Sequence, residues 1–237
     1  MLKKTLVLFL LLIAQIASAD ENLFAANYHA QNNGNLQSLQ ASPDTKMYVS
    51  NHKEDDNISM LENGYDLMGS SSFEAGNVPA ELALAHARSI KADTVLVYSK
   101  YASKQMALSK IEAIKQAAKG SHEVDASVLK QDEEQYKYFA SYWAKIPTPL
   151  LGLHVIKLKT KEGEPLDGLK VLAVIKDSPA AKVNLMRGDV LLKIGEVTLQ
   201  KPEELSLAAR QYQGKKVEIT YEREGESAVT TATLNSR

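Results

Sequence analysis

The stretch Val171–Glu196, VLAVIKDSPAAKVNLMRGDVLLKIGE, decides how the C-terminal part of the chain folds. A β-favouring run, Val171 to Ile175, ends at Asp177-Ser178-Pro179. Proline suits the first position of a helix, where its missing N–H costs nothing, and Ser178 before it is a good N-cap. A short Ala-rich helix is expected over Ala180 to Leu185. Gly188 then allows a tight turn, and Asp189 can hydrogen-bond back across it. Val190 to Ile194 is too short for a buried helix and reads as a buried strand.

Working outward, a helix is expected from Pro202 to Tyr212, with apolar Leu205, Leu207, Ala208, Ala209 and Tyr212. Two strands follow, Lys216 to Tyr221 and Ser227 to Leu234, with Gly225 in the turn between them. Upstream lies Leu150-Leu151-Gly152-Leu153. Five or six short strands and two helices fit a small, partly open β-barrel.

The combination of LLGL, SPAA and RGDVLL resembles PDZ domains of the bacterial exported kind, as in HtrA-type proteases and other envelope proteins. That resemblance implies a groove that takes an extended peptide as an added strand. The LLGL loop would offer successive N–H groups to a carboxylate, an anion nest. The implied peptide-binding residues are Leu150, Leu151, Gly152, Leu153 and Val155 on one side, with Leu205, Ala209 and Tyr212 on the other. The plainer alternative is that LLGL is a strand entry with a glycine bulge. Gly152→Val is expected to harm binding more than folding.

The amino terminus speaks to address. Met1-Leu2-Lys3-Lys4 is a short basic segment, Thr5 to Ala17 is apolar, and Ala17-Ser18-Ala19 is a small-x-small box. This pattern predicts a signal peptide over residues 1–19, cleavage after Ala19, and a periplasmic or secreted product with no stable membrane insertion. The chain has no cysteine, hence neither disulfides nor thiol chemistry. Removing Lys3 and Lys4 leaves 26 basic against 29 acidic residues, a net charge of −3. Such a balance gives no basic field for nucleic acid.

Residues 20–45 form a polar leader, rich in Asn, Gln, Ser and Ala, and are expected to be partly flexible. Residues 46–146 then read as a small α/β domain, before the PDZ-like unit at 147–237. Strands are expected at Met47–Ser50, Tyr65–Gly69 and Thr94–Tyr98, and helices at Asp56–Glu62 and Pro79–Ile90. That succession suggests a βαβαβ-like layer with parallel pairing. A further helix is expected over Ser103 to Ala118, stopping at Gly120. Gln135 to Lys145 alternates, with Tyr136, Tyr138, Ala140 and Tyr142 on one face and Phe139 and Trp143 on the other, as in a strand covered on both faces. The order of these segments also resembles a loose group of exported bacterial proteins that end in a PDZ domain, a group with no agreed activity.

No catalytic, metal or cofactor site emerges. Gly69-Ser70-Ser71-Ser72-Phe73 lacks the second glycine of a nucleophile elbow. The five histidines are scattered, with His86 expected at a helix surface. HExxH, CxxC and phosphate-cradling glycine loops are absent from the sequence. Ser70 to Ser72 read either as a polar pocket at a strand end or as a solvated loop. The partners expected are protein C-termini or extended peptides.

Overall fold

A computed structural model describes residues 21–31, 35–101, 135–159, 163 and 166–236. The expected signal segment and the helix over Ser103 to Ala118 lie outside the described residues.

The first domain is built on β1 (Tyr28–Ala30), β2 (Lys46–Val49), β3 (Tyr65–Ala75), β4 (Thr94–Tyr101) and β5 (Tyr136–Lys145). Its helices are α1 (Leu23–Ala26), α2 (Lys53–Glu62) and α3 (Glu81–Ser89). Strand and helix alternate along the chain as expected, but the pairing differs. The sheet order is β1-β3-β5-β4-β2, and only β2 and β4 are parallel neighbours. Strand β5 pairs antiparallel with both β3 and β4 and so separates them. The expected βαβαβ layer with parallel pairing is therefore replaced by a mixed sheet. The physical reason lies in β5 itself. Its aromatics occupy both faces, and such a strand loses least surface to water at the centre of a sheet.

Strands β2, β3 and β4 still run in one direction. Helix α2 crosses the sheet one way on the face of Leu96, Tyr98 and Trp143. Helix α3 crosses back on the opposite face, against Val95, Val97 and Tyr142. Reversing both direction and face gives the two crossovers the same hand.

Three expectations about this domain change. The leader is part of the core: Phe24 of α1 is fully buried, with its ring edge-on to Phe73 at 4.9 Å. Phe24 stands in the short run Leu23-Phe24-Ala25-Ala26 and Leu36 between polar Asn35 and Gln37, neither within a legible period, which hid them. Ser70 to Ser72 belong to the interior of β3, which runs on to Ala75, and form neither a pocket nor a solvated loop. The Ser71 hydroxyl is buried, donates to the Phe24 carbonyl at 2.6 Å, and lies 3.1 Å from the Tyr142 hydroxyl. His86 is buried as well, edge-on to Tyr28 and Tyr142.

The C-terminal domain comprises β6 (Leu153–Ile156), β7 (Leu169–Val174), α4 (Pro179–Lys182), β8 (Val190–Ile194), β9 (Val197–Thr198), α5 (Pro202–Gln211), β10 (Lys216–Arg223) and β11 (Glu226–Thr233). The sheet order is β11-β10-β8-β7-β6, with β9 paired to β8. The barrel is open, because β6 and β11 are both edges. The expected caps are present: the Ser178 side chain accepts from Ala181 N–H at 3.3 Å with Pro179 opening the helix. Leu169, Leu191, Ile194, Leu199 and Ile219 are fully buried and form the centre of the core.

Asp189 does bond back across its turn, accepting from Met186 N–H at 2.8 Å. It is only 2% exposed and also takes a two-point grip from Arg223, at 2.7 and 2.8 Å. This ion pair ties the RGD turn to the end of β10 and raises the Arg223 pKa still further.

The two domains share more than a linker. Ile146 N–H donates to the Gly64 carbonyl at 3.0 Å, and Lys176 N–H to that of Glu62 at 2.9 Å. The Lys176 ammonium adds a bond to the Asn63 side-chain oxygen at 2.9 Å. The end of α2 is thus fastened to the segment just after β7.

Candidate peptide groove

The groove starts from the loop Leu150-Leu151-Gly152. Its carbonyls are all engaged by distant elements: Leu150 by Asn235 N–H at 3.0 Å, Leu151 by Ala180 N–H at 2.9 Å, Gly152 by Ile175 N–H at 2.9 Å. With the carbonyls turned inward, the N–H groups of Leu151 and Gly152 take no partner among the described residues. Successive free N–H groups at the mouth of a cavity are what an anion requires.

Gly152 makes this possible. Its φ is +90°, and a Cβ there would lie 2.2 Å from the Ser178 Cβ. The expectation that Gly152→Val harms binding more than folding meets an obstacle here: bulk at this position collides with the N-cap of α4 before any ligand arrives.

Strand β6 leads out of the loop and, among the described residues, pairs only with β7. Among the described residues its other edge is unpaired, leaving a row of backbone N–H and C=O groups without strand partners. Across from it stands α5. Between them is a cavity of about 350 Å³, mainly apolar, lined on the strand side by Leu150, Leu151, Gly152 and Leu153 and on the helix side by Leu205 and Ala209.

Those six residues were expected together and are found together. Val155 and Tyr212 were expected with them, and neither lines the cavity. Val155 lies two residues beyond Leu153, about 7 Å further along the strand, past a bulge, and packs on the core. Tyr212 caps α5 about 10 Å along the axis from Leu205, beyond the cavity. Its ring occupies the space over Gly195, where a Cβ would lie 2.3 Å away, and its hydroxyl accepts from Glu196 N–H at 3.0 Å.

Sequence reasoning also missed part of the lining. Ser206 and Arg210 stand beside Leu205 and Ala209 on α5, and helical spacing could have found them. Ile146, Pro147 and Pro149 come from the inter-domain linker, and Ile175 directly follows β7. His154 completes the wall; burial lowers its pKa, the Asp66 carboxylate pulls it partly back, and its Nε2 has no partner among the described residues.

No cofactor or metal geometry accompanies this cavity. Among the described residues no group of three or more His, Asp or Glu could hold a metal ion. Among the described residues the Ser71 hydroxyl meets the Phe24 carbonyl and the Tyr142 hydroxyl and no histidine, and the Nδ1 of His86 lies beside Ser89 Oγ at 3.5 Å.

The C-terminal unit is thus an open barrel with a strand edge unpaired among the described residues, a facing helix and a loop with two N–H groups left without a partner. Residues 149–234 match the family model described as PDZ domain, and this C-terminal unit is a PDZ domain. The zinc metalloprotease RasP of Shouchella clausii (strain KSM-K16) is 37% identical over 60 residues, 25% of this chain and 14% of that protein. Similar solved structures include the HtrA-type protease AlgW with decapeptide, at 31% identity and a TM-score of 0.33, covering 37% of this chain and 29% of that one. The HtrA3 PDZ domain bound to a phage-derived ligand (FGRWV) is 19% identical with a TM-score of 0.31, covering 36% of this chain and 83% of that one. The chain thus spans only 14% of the length of the zinc metalloprotease and 29% of that of AlgW.

Proposed function

We propose that this protein is an exported peptide-binding protein, without catalytic activity of its own, whose PDZ domain captures the C-terminus of a protein or peptide. The ligand adds as a strand along β6, its terminal carboxylate meets the N–H groups of Leu151 and Gly152, and its last side chain enters the apolar cavity. The observation that carries this reading is the pair of unpartnered N–H groups at the mouth of a cavity beside an open strand edge. The peptides held by AlgW and by the HtrA3 PDZ domain, as their descriptions state, are consistent with it.

The test is a titration of the full chain with free-ended decapeptides finishing in Val, Leu or Phe, followed through backbone amide resonances. Leu151, Gly152 and the β6 amides should move most. Shifts confined to the first domain, or none at all, would refute the proposal.

Export rests on the basic start, the apolar run and Ala17-Ser18-Ala19. Mass spectrometry of the exported protein should find Asp20 as its first residue; a chain beginning at Met1 and held in the inner membrane would overturn this part.

A second reading makes the protein an accessory subunit whose first domain docks a partner. One observation favours it: the edge strand β2 leaves Tyr48 and Val49 57% and 65% exposed, on opposite faces of the sheet.

A further inference from the structure

Two isoleucines belong at once to the groove and to the seam between the domains. Ile146 and Ile175 both line the groove cavity. With Pro149 they also line a second cavity, of about 370 Å³, shared with Glu62, Asn63, Gly64 and Lys145 of the first domain. The same side chains therefore border the ligand's space on one hand and the domain seam on the other. Ile175 is only 6% exposed, yet it joins none of the hydrophobic core clusters of either domain.

Both residues are held from the first domain. Ile146 N–H donates to the Gly64 carbonyl at 3.0 Å. A Cβ on Gly64 would lie 3.5 Å from the Ile175 Cγ2, so the turn after α2 lies close against that side chain. Directly after Ile175, Lys176 N–H donates to the Glu62 carbonyl at 2.9 Å, and the Lys176 ammonium to the Asn63 side-chain oxygen at 2.9 Å. The Lys145 ammonium donates to the Asn63 carbonyl. Asn63 and Lys176 do not line the groove cavity. Any influence of theirs on a ligand has to pass through the two isoleucines.

A wall built by two domains keeps its shape only while they stay docked. An occupant that touches such a wall gains those contacts in the docked state alone, and by linkage it favours docking by the same factor that docking favours it. We infer that the groove is a composite site: the first domain fixes Ile146 and backs Ile175, so that ligand capture and domain docking are coupled. The inference rests on the peptide-groove reading above. The alternative is a seam that fastens the domains and leaves the groove unaffected.

The experiment follows amide hydrogen exchange in the full-length mature chain, alone and saturated with the tightest of the free-ended decapeptides finishing in Val, Leu or Phe. The Lys176 amide, whose bond crosses the seam outside the groove, should exchange at least about threefold more slowly with peptide bound. Asn63→Lys places a further ammonium beside those of Lys145 and Lys176, at a helix end that accepts a cation. This variant should exchange faster at Lys176 and bind the fluorescein-labelled peptide about threefold more weakly by anisotropy. Asn63→Lys with Lys176→Glu turns the repulsion into attraction and should bring affinity back to within about twofold of wild type.

Peptide that binds wild type and leaves Lys176 exchange unchanged would overturn the coupling, with the groove reading left standing. Faster Lys176 exchange in Asn63→Lys at unaltered affinity would overturn it as well. Weakened binding that Lys176→Glu does not reverse would mark damage to the fold in place of a loosened seam, and would also count against it. Where Asn63→Lys leaves the seam intact, the wild-type exchange comparison decides by itself. If no peptide of the panel binds wild type, the groove reading falls and the coupling falls with it.

Discussion

The two sheets each end in a short edge strand, and the contrast between β6 and β2 is instructive. Both have four residues and one unpaired side. Beside β6 lie a cavity, a helix wall and two free N–H groups. Beside β2 lie exposed Tyr48 and Val49. An open edge by itself offers only generic backbone pairing. What distinguishes β6 is the loop before it, whose carbonyls are bound from behind by β7, α4 and the C-terminal segment. The domains also differ in how they are held. The PDZ domain depends on a loop where backbone atoms touch closely, the first domain on aromatic rings gathered from distant segments.

That contrast can be broken first in the aromatic core. Phe24→Ala removes a fully buried ring that meets Phe73 and Tyr138. It should cost the first domain about 4 kcal/mol, seen as an early melting transition that leaves the PDZ transition near its wild-type position. A change below about 1 kcal/mol would mean that the leader does not belong to this core.

In the other domain, Gly152→Val should cost about 3 kcal/mol, from backbone strain at φ +90° and the clash with Ser178. Denaturant unfolding of the PDZ domain should register this without any peptide present. Normal stability combined with lost peptide binding would reverse the conclusion.

The smallest effect concerns acid. Burial lowers the pKa of both His86 and His154 below the ordinary value of about 6.5. The unfolded chain therefore takes up protons first, and stability, complete above about pH 6.5, is lost as pH falls from there toward the folded-state values. His86→Phe, which keeps an aromatic ring against Tyr28 and Tyr142, should flatten the fall in the first domain's melting temperature between about pH 7 and pH 5. An unaltered slope would show that His86 is not its source.

The legible parts of this molecule were those with local causes. Ser178-Pro179 announced α4, Gly188-Asp189 its following turn, and the alternating aromatics of β5 their two faces, because capping, turn chemistry and period two act over a few residues. Six of the eight expected groove residues fell together for the same reason: the LLGL loop and the i, i+4 pair Leu205 and Ala209 are local patterns. Tyr212 was misplaced because helical spacing gives the face of a residue but not where a cavity ends.

By itself the sequence determined most of the described elements from β2 onward, the PDZ identity of the last third, the glycine loop before β6 and the apolar side of α5. Tertiary structure alone decided the insertion of β5 between β3 and β4, the burial of Phe24, Ser71 and His86, the partnership of Asp189 with Arg223, and the contribution of the linker to the groove. Each of these depends on contacts between segments far apart in the chain. Their energies come from which surfaces meet, and no short-range pattern of residues encodes that meeting.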